Sequence, residues 1–322
     1  MSSAEHDDIA IQTEGLTKVF PGDVRAVDGL DLQIRRGEVF GFLGPNGAGK
    51  TTSIRMMTGL LKPTSGKVVV NGELIERVSG KSKKRIGVCP QEIVLWNLLT
   101  CTENLTLVAS MYDVPGGEGR DRAEDLLEEL QLTEKSDTLA GNLSGGMKRR
   151  LNVAMAMVHD PEIMVLDEPT AGLDPQSRLV VTGLIDRVKR EERKTIILTT
   201  HMMEIADQLS DRVAIIDHGK LLKLDTPENL KNQIGAGDVM DIALVDESLN
   251  ETALKALGDL QGVQETTVLR GKVVVRALDV ARRLPEIFQT LESIGAKVSD
   301  VSLRRNTLED VFIALTGRKL RE

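Results

Sequence analysis

Apolar residues follow two different rhythms along this chain. Leu30, Leu32 and Ile34 alternate with polar neighbours, the period of a half-buried strand, before the turn Arg35-Arg36-Gly37. Val39–Leu43 is then an unbroken apolar run, as expected of a strand covered on both faces, and Thr51 to Leu60 reads as a helix. Val68–Val70 is another short run, closed by the hairpin pair Asn71-Gly72. Residues 9–43 are therefore read as short strands and turns. From 102 to 160 the period lengthens. Ala123, Leu126, Leu127 and Leu130 share one helical face, with Asp, Glu and Arg opposite. Strands return at Ile163–Leu166 and Thr195–Thr200, separated by the helical stretch Ser177 to Glu191. Val213–Asp217 and Leu221–Leu224 follow, with the turn His218-Gly219 between them. Strand–helix–strand alternation predicts an α/β fold with a parallel sheet, carrying a helix-rich insert and binding its ligand at the strand ends.

Gly235-Ala236-Gly237 marks a domain boundary, giving expected domains of 9–234 and 238–322. Beyond it, Val239–Val245 reads as a strand, and Leu249, Ala253, Leu257 and Leu260 as a helical stripe. Val268–Val275 holds two short runs around the turn Arg270-Gly271. Leu284, Ile287, Phe288, Leu291 and Ile294 form a second stripe, with Pro285 expected in that helix's first turn. Val298–Leu303 is a last strand and Leu308–Leu315 a last helix. The order β-α-β-β-α-β predicts a small α+β, ferredoxin-like sandwich.

Composition narrows the partners. A net charge of −8 gives no general attraction to nucleic acid or anionic lipid. Aromatics at 2% argue against a base-stacking platform. Cys89 and Cys101 lack metal or redox spacing and read as inert reduced thiols. No apolar run approaches the ~20 residues that cross a bilayer. The start MSSAEHDDIA is acidic without an apolar core, so a secretory signal is not expected.

The chemistry begins at GPNGAGKT, which fits G-x-x-x-x-G-K-[ST] between a strand and a helix. Backbone N–H groups of Gly44, Pro45, Asn46, Gly47, Ala48, Gly49, Lys50, Thr51 and Thr52 (proline excepted) would cradle nucleotide phosphates at a helix N-terminus. Lys50 would reach the β- and γ-phosphates and Thr51 would hold Mg²⁺. The apolar strand Ile163–Leu166 ends in Asp167 and Glu168. Asp167 is placed to help hold Mg²⁺, and Glu168 to act on the attacking water as general base. Leu143, Ser144, Gly145, Gly146 and Met147 open a further helix with a second anion cradle. One site does not need two cradles from one chain, so a dimer is expected in which each cradle caps the other chain's nucleotide.

Here the residues resemble a known family. LSGGM ahead of the acidic strand looks like the signature motif of ABC ATPases, and residues 9–232 match that family's motifs in order. The resemblance implies a P-loop NTPase of this class: a RecA-like core, an antiparallel β subdomain and a helical subdomain. It implies that Gln91 is the Q-loop glutamine serving the Mg²⁺ and water site, and Asp174 the D-loop aspartate coupling two sites. His201 would be the switch histidine on the γ-phosphate, and Phe20 the adenine platform. For Gln91, His201 and Phe20 the plain alternatives stand: a turn residue, a strand-end histidine and a packed aromatic. It further implies ATP and Mg²⁺ as ligands, a second copy of the chain as partner, and no nucleic acid.

The ending Asn306-Thr307-Leu308-Glu309-Asp310-Val311-Phe312, with the LSGGMKRRL run, resembles ATPases of bacterial drug exporters of the daunorubicin-resistance type. This implies a separate permease with about six membrane spans per subunit, and a peripheral place on the cytoplasmic face of the membrane. The helical insert after Gln91 would dock it, and Trp96 is either a docking contact or packed within the insert. Export of a drug, lipid or other amphipathic molecule is the leading reading. A non-drug system (ion extrusion, immunity, maturation) and a soluble nucleic-acid ATPase remain as alternatives.

Overall fold

The structure is a computed structural model that describes residues 8–75, 84–192, 194–233, 238–277 and 280–317. The expected boundary Gly235-Ala236-Gly237 lies outside them. Two compact units divide the chain between Pro227 and Glu228.

The first unit begins with β1 (Ile9–Phe20), β2 (Val24–Arg35), β3 (Val39–Leu43), α1 (Lys50–Met57), β4 (Ser65–Val70), β5 (Glu73–Leu74) and β6 (Ile86–Cys89). The helical insert follows as α2 (Cys101–Met111), α3 (Gly116–Glu129) and α4 (Gly145–Met157). The unit closes with β7 (Ile163–Asp167), α5 (Pro175–Arg187), β8 (Thr195–Thr200), α6 (Met203–Leu209), β9 (Arg212–Asp217) and β10 (Lys220–Asp225). Six strands form one sheet in the order β10-β9-β3-β8-β7-β6, parallel throughout except β10. A second, antiparallel sheet runs β2-β1-β4-β5.

The unbroken apolar runs are explained by burial on both faces. Alternate residues of the central strands serve two different cores. Phe40, Phe42, Val165 and Ile197 pack toward α1 and the antiparallel sheet, through Ile54, Met57, Leu32 and Val68. Val39, Met164, Leu166 and Leu198 belong with Leu105, Leu127, Leu151 and Ile185 of the helices on the other side. The hairpin turns have both central residues left-handed, at φ 50 and 82° for Asn71-Gly72 and 47 and 76° for His218-Gly219. That is the geometry matching strand twist.

Helix α1 stops short of the expected Leu60. The Thr58 hydroxyl bonds back to the Ile54 carbonyl at 2.9 Å, and Gly59 turns left-handed at φ 70°. Buried Arg150 on α4 donates to the Leu130 carbonyl at 2.7 Å, fastening α4 to the end of α3.

After α7 (Pro227–Gln233), the second unit contains β11 (Asp238–Leu244), α8 (Asn250–Gly258), β12 (Val263–Leu269), β13 (Lys272–Ala277), α9 (Val280–Ser293), β14 (Val298–Arg304) and α10 (Leu308–Thr316). Its antiparallel sheet has the order β12-β13-β11-β14, the ferredoxin-like arrangement. Met240, Ile242, Val273 and Val275 meet Leu257, Ile287 and Leu291 in its core.

Pro285 corrects an expectation. It lies inside α9, not in its first turn, because the buried Val280 extends the apolar stripe one turn upstream. Burial there outweighs the backbone hydrogen bond that proline removes. The motif at the chain's end has a structural purpose. Thr307 and Asp310 form a reciprocal cap on α10, while Leu308, Val311 and Phe312 are buried. Burial alone would raise the Asp310 pKa, but Arg304 at 2.6 Å and the Thr307 bonds hold it below the usual carboxylate range.

Candidate active site

Four parallel strands deliver the predicted groups to one edge of the sheet. In register, Leu43 lies beside Thr200, Asp167 beside Thr199, and Cys89 beside Leu166. The residues that follow these ends are the P-loop, His201, Glu168 and Gln91, so four distant segments become neighbours.

Gly44 to Thr51 links β3 to α1, with Gly49 as a left-handed N-cap at φ 101°. A side chain at Gly49 would meet the Ala26 carbonyl oxygen at 2.3 Å, and one at Gly44 the Ile216 carbonyl oxygen at 2.3 Å. Asn46 and Gly47 form the exposed tip beside half-buried Pro45; Thr51 and Thr52 are half-buried where the helix opens. The Gly219 amide donates to the Ala48 carbonyl at 3.0 Å, so the β9–β10 turn braces the loop from behind.

The Lys50 ammonium is 6% exposed. It donates to the carbonyls of Gly44 at 2.7 Å and Pro45 at 3.3 Å, and lies 3.5 Å from Glu168 Oε1. Burial lowers its pKa, opposed by the charges of Glu168 and Asp167. The other Glu168 oxygen, Oε2, is 2.9 Å from His201 Nδ1. Lys50, Glu168 and His201 thus form one continuous polar chain.

Two residues that sequence reasoning missed hold this chain in place. Thr199 is wholly buried; its hydroxyl donates to Asp167 Oδ1 and accepts from the Glu168 amide at 2.9 Å. Arg149, on α4, is 3% exposed. Its five N–H donors all reach carbonyl oxygens: Pro90 at 2.7 Å, Gln91 at 3.0 Å, Asp167 at 2.6 Å, Glu168 at 2.6 Å and Pro169 at 3.1 Å. The signal in the sequence was faint: a threonine pair closing an apolar strand, and an arginine just ahead of a mostly apolar helical run. Glu168 itself has a left-handed backbone at φ 51°, unusual for a long side chain.

The remaining predicted residues are placed apart from the Lys50–Glu168–His201 chain. Gln91 is exposed, with its carbonyl held by Arg149. Ser144 is exposed and caps α4, accepting from the Met147 amide at 3.3 Å. Leu143 is buried beneath it, and Gly145 is exposed beside it. Gly146 is required by its neighbours: a side chain there would meet Ser177 Oγ at 2.7 Å and Asp174 Oδ2 at 3.0 Å. Asp174 caps α5 through the Ser177 amide at 2.9 Å, and these bonds lower its pKa. Phe20 ends β1, 37% exposed, with Lys18 Nζ 5.4 Å from its ring centre. Cys89 and Cys101 are buried free thiols, and burial raises both pKa values. Among the described residues no helix is long and apolar enough to cross a membrane.

Residues 27–171 match the ABC transporter family. The chain is 37% identical to the linearmycin resistance ATP-binding protein LnrL of Bacillus subtilis, over 97% of this chain and 100% of that protein. It is likewise 37% identical to the daunorubicin resistance ATP-binding protein DrrA2 of Streptomyces coeruleorubidus, over 97% of each. Among solved structures, the dimeric post-hydrolysis ATP-binding cassette MJ0796 with ADP and Pi aligns at TM-score 0.62 and 26% identity, covering 67% of this chain and 98% of that one. The chain belongs to the ABC transporter family, as one of its ATP-binding, ATP-hydrolysing subunits.

Proposed function

We propose that two copies of this chain close head to tail around two MgATP and power export of a drug, lipid or other amphipathic molecule. A separate permease with about six membrane spans per subunit would carry the cargo and hold the ATPase at the cytoplasmic face. Full-length likeness to two drug-resistance ATP-binding proteins supports the exporter reading. The exposed side chains Ile93, Val94, Trp96 and Leu98, just after Gln91, support docking there. The buried Asn104 amide fixes the backbone beneath Trp96 by donating to its carbonyl at 3.1 Å.

The observation that carries the catalytic reading is the Lys50–Glu168–His201 chain at the mouth of the P-loop. Glu168 would take the proton of the attacking water, with Oε2 steadied by His201. Lys50 would stabilise charge on the transferring phosphoryl group. Ser144 and Gly146 of one chain would close over the phosphates held by Lys50 of the other, with Asp174 linking the two sites.

Among the described residues no three His, Cys, Asp or Glu can hold a metal by themselves. The residues assigned to Mg²⁺, Thr51, Asp167 and Gln91, all offer side-chain oxygens. That set fits Mg²⁺, which binds through one or two carboxylates and the substrate's own phosphates. When bound, it would neutralise phosphate charge.

Glu168→Gln tests this mechanism. ATP binding should stay within about threefold, turnover should fall ~100-fold or more, and a closed dimer should accumulate on a sizing column. Turnover at the wild-type rate overturns the general-base assignment.

A further inference from the structure

We propose that Arg149 is a positioning residue that aims the Glu168 carboxylate and sets the backbone of Gln91. This rests on the reading of Glu168 as general base. A guanidinium carries five N–H donors in a rigid plane, and burying it is costly unless all are bonded. At Arg149 all five are bonded, and every acceptor is a main-chain carbonyl. Among the described residues no carboxylate lies within ion-pair distance of it, so its partners are the carbonyl dipoles themselves.

Those carbonyls belong to two segments that do not follow each other in sequence. Pro90 and Gln91 leave β6; Asp167, Glu168 and Pro169 leave β7. Strand pairing reaches only Asp167, beside Thr199; Pro90, Gln91, Glu168 and Pro169 all lie past the last paired residues. Glu168 also has to be held at φ 51°, a conformation its side chain does not favour. Thr199 grips its amide and Arg149 its carbonyl. The peptide groups on both sides of the Glu168 Cα are therefore clamped, and the direction of its side chain follows. Removing one clamp frees the carboxylate to swing without opening the core.

The arginine stands five residues after Ser144 on the same helix, within about 8 Å of rise. The element that would meet the partner's nucleotide thus also holds the acid of its own site. Lysine at 149 keeps the charge, but offers three donors from one point instead of five from a plane.

A double-mutant cycle tests the proposal. Arg149→Lys should lower kcat ~10–100-fold and leave KM for MgATP within about threefold, since misplacement of a reacting group costs rate more than binding. In the Glu168→Gln background, the same Arg149→Lys change should reduce residual single-turnover hydrolysis less than about twofold. Arg150→Lys, at a buried neighbour that fastens α3, serves as a control and should lower the unfolding midpoint without changing kcat. Full additivity of Arg149→Lys with Glu168→Gln overturns the proposal, as does a rise in KM that accounts for the loss. Should Arg149→Lys not fold, Arg149→Gln, which keeps two amide donors, is read in the same cycle; failure of both to fold assigns Arg149 to the core and overturns the proposal. The two readings fail separately. Wild-type turnover by Glu168→Gln alone removes the general base and Arg149's role with it, whereas a slow Glu168→Gln with additive Arg149→Lys removes only the latter.

Discussion

At the residue scale, one hydroxyl orders two acids. Thr199 donates to Asp167 and accepts from the Glu168 amide, so its oxygen sits at the junction of the proposed metal-holding and water-activating groups. Thr199→Val keeps the shape and removes the oxygen, leaving a buried amide with only the Thr199 carbonyl at 3.2 Å. We expect turnover to fall ~10–100-fold with MgATP affinity little changed, measured by steady-state hydrolysis beside equilibrium nucleotide binding. Wild-type kcat in this variant would show that the junction is not needed. Lys50, Glu168 and His201 were legible in the sequence because each carries its own chemistry at a motif position. Thr199 and Arg149 were not. Their importance comes from where strand register and helix packing put them, and the same residue types elsewhere would only solvate a surface.

At the element scale, the strands were the most legible part, since burial on both faces writes continuous apolar runs. Helix limits were less so: α1 ended early at a left-handed glycine, and α9 began early enough to enclose Pro285. The turn after α4 contains a titration device the pattern did not suggest. His159 is buried and stacks on Tyr112 with ring centres 3.7 Å apart. Burial pushes its pKa down from 6.5 to about 4, a shift to which Lys194 and Arg122 add and which Asp160 opposes. The folded chain therefore keeps it neutral. Between pH 6.5 and about 4 the unfolded chain takes up a proton that the folded chain refuses, so stability falls as pH falls through that window. With a slope of at most ~1.4 kcal/mol per pH unit, shallower near both ends of the window, the loss is roughly 2–3 kcal/mol. Urea midpoints of wild type and His159→Phe at pH 7 and pH 4.5 check this. The variant should lose less stability on acidification, and equal losses would refute the assignment.

At the scale of the whole molecule, the proposed dimer divides each active site between two chains, a demand the sequence hinted at by carrying two anion cradles. Lys50→Ala would disable the P-loop of a chain, and Ser144→Arg its signature turn. Neither homodimer should hydrolyse ATP. Mixed together, roughly a quarter of wild-type activity should return, since half the dimers are mixed and each keeps one intact site of two. Mixed dimers formed without any activity would argue against the shared site. The left-handed backbone of Glu168 has a last consequence at this scale. Such a conformation costs a non-glycine residue on the order of 1 kcal/mol. The fold alone would be better served by glycine at this position, while the proposed chemistry requires a carboxylate. Stability and turnover therefore pull in opposite directions at a single residue. On the proposed mechanism, selection for hydrolysis would keep the less comfortable side chain in place, and a copy of this chain relieved of that selection would be free to relax there first.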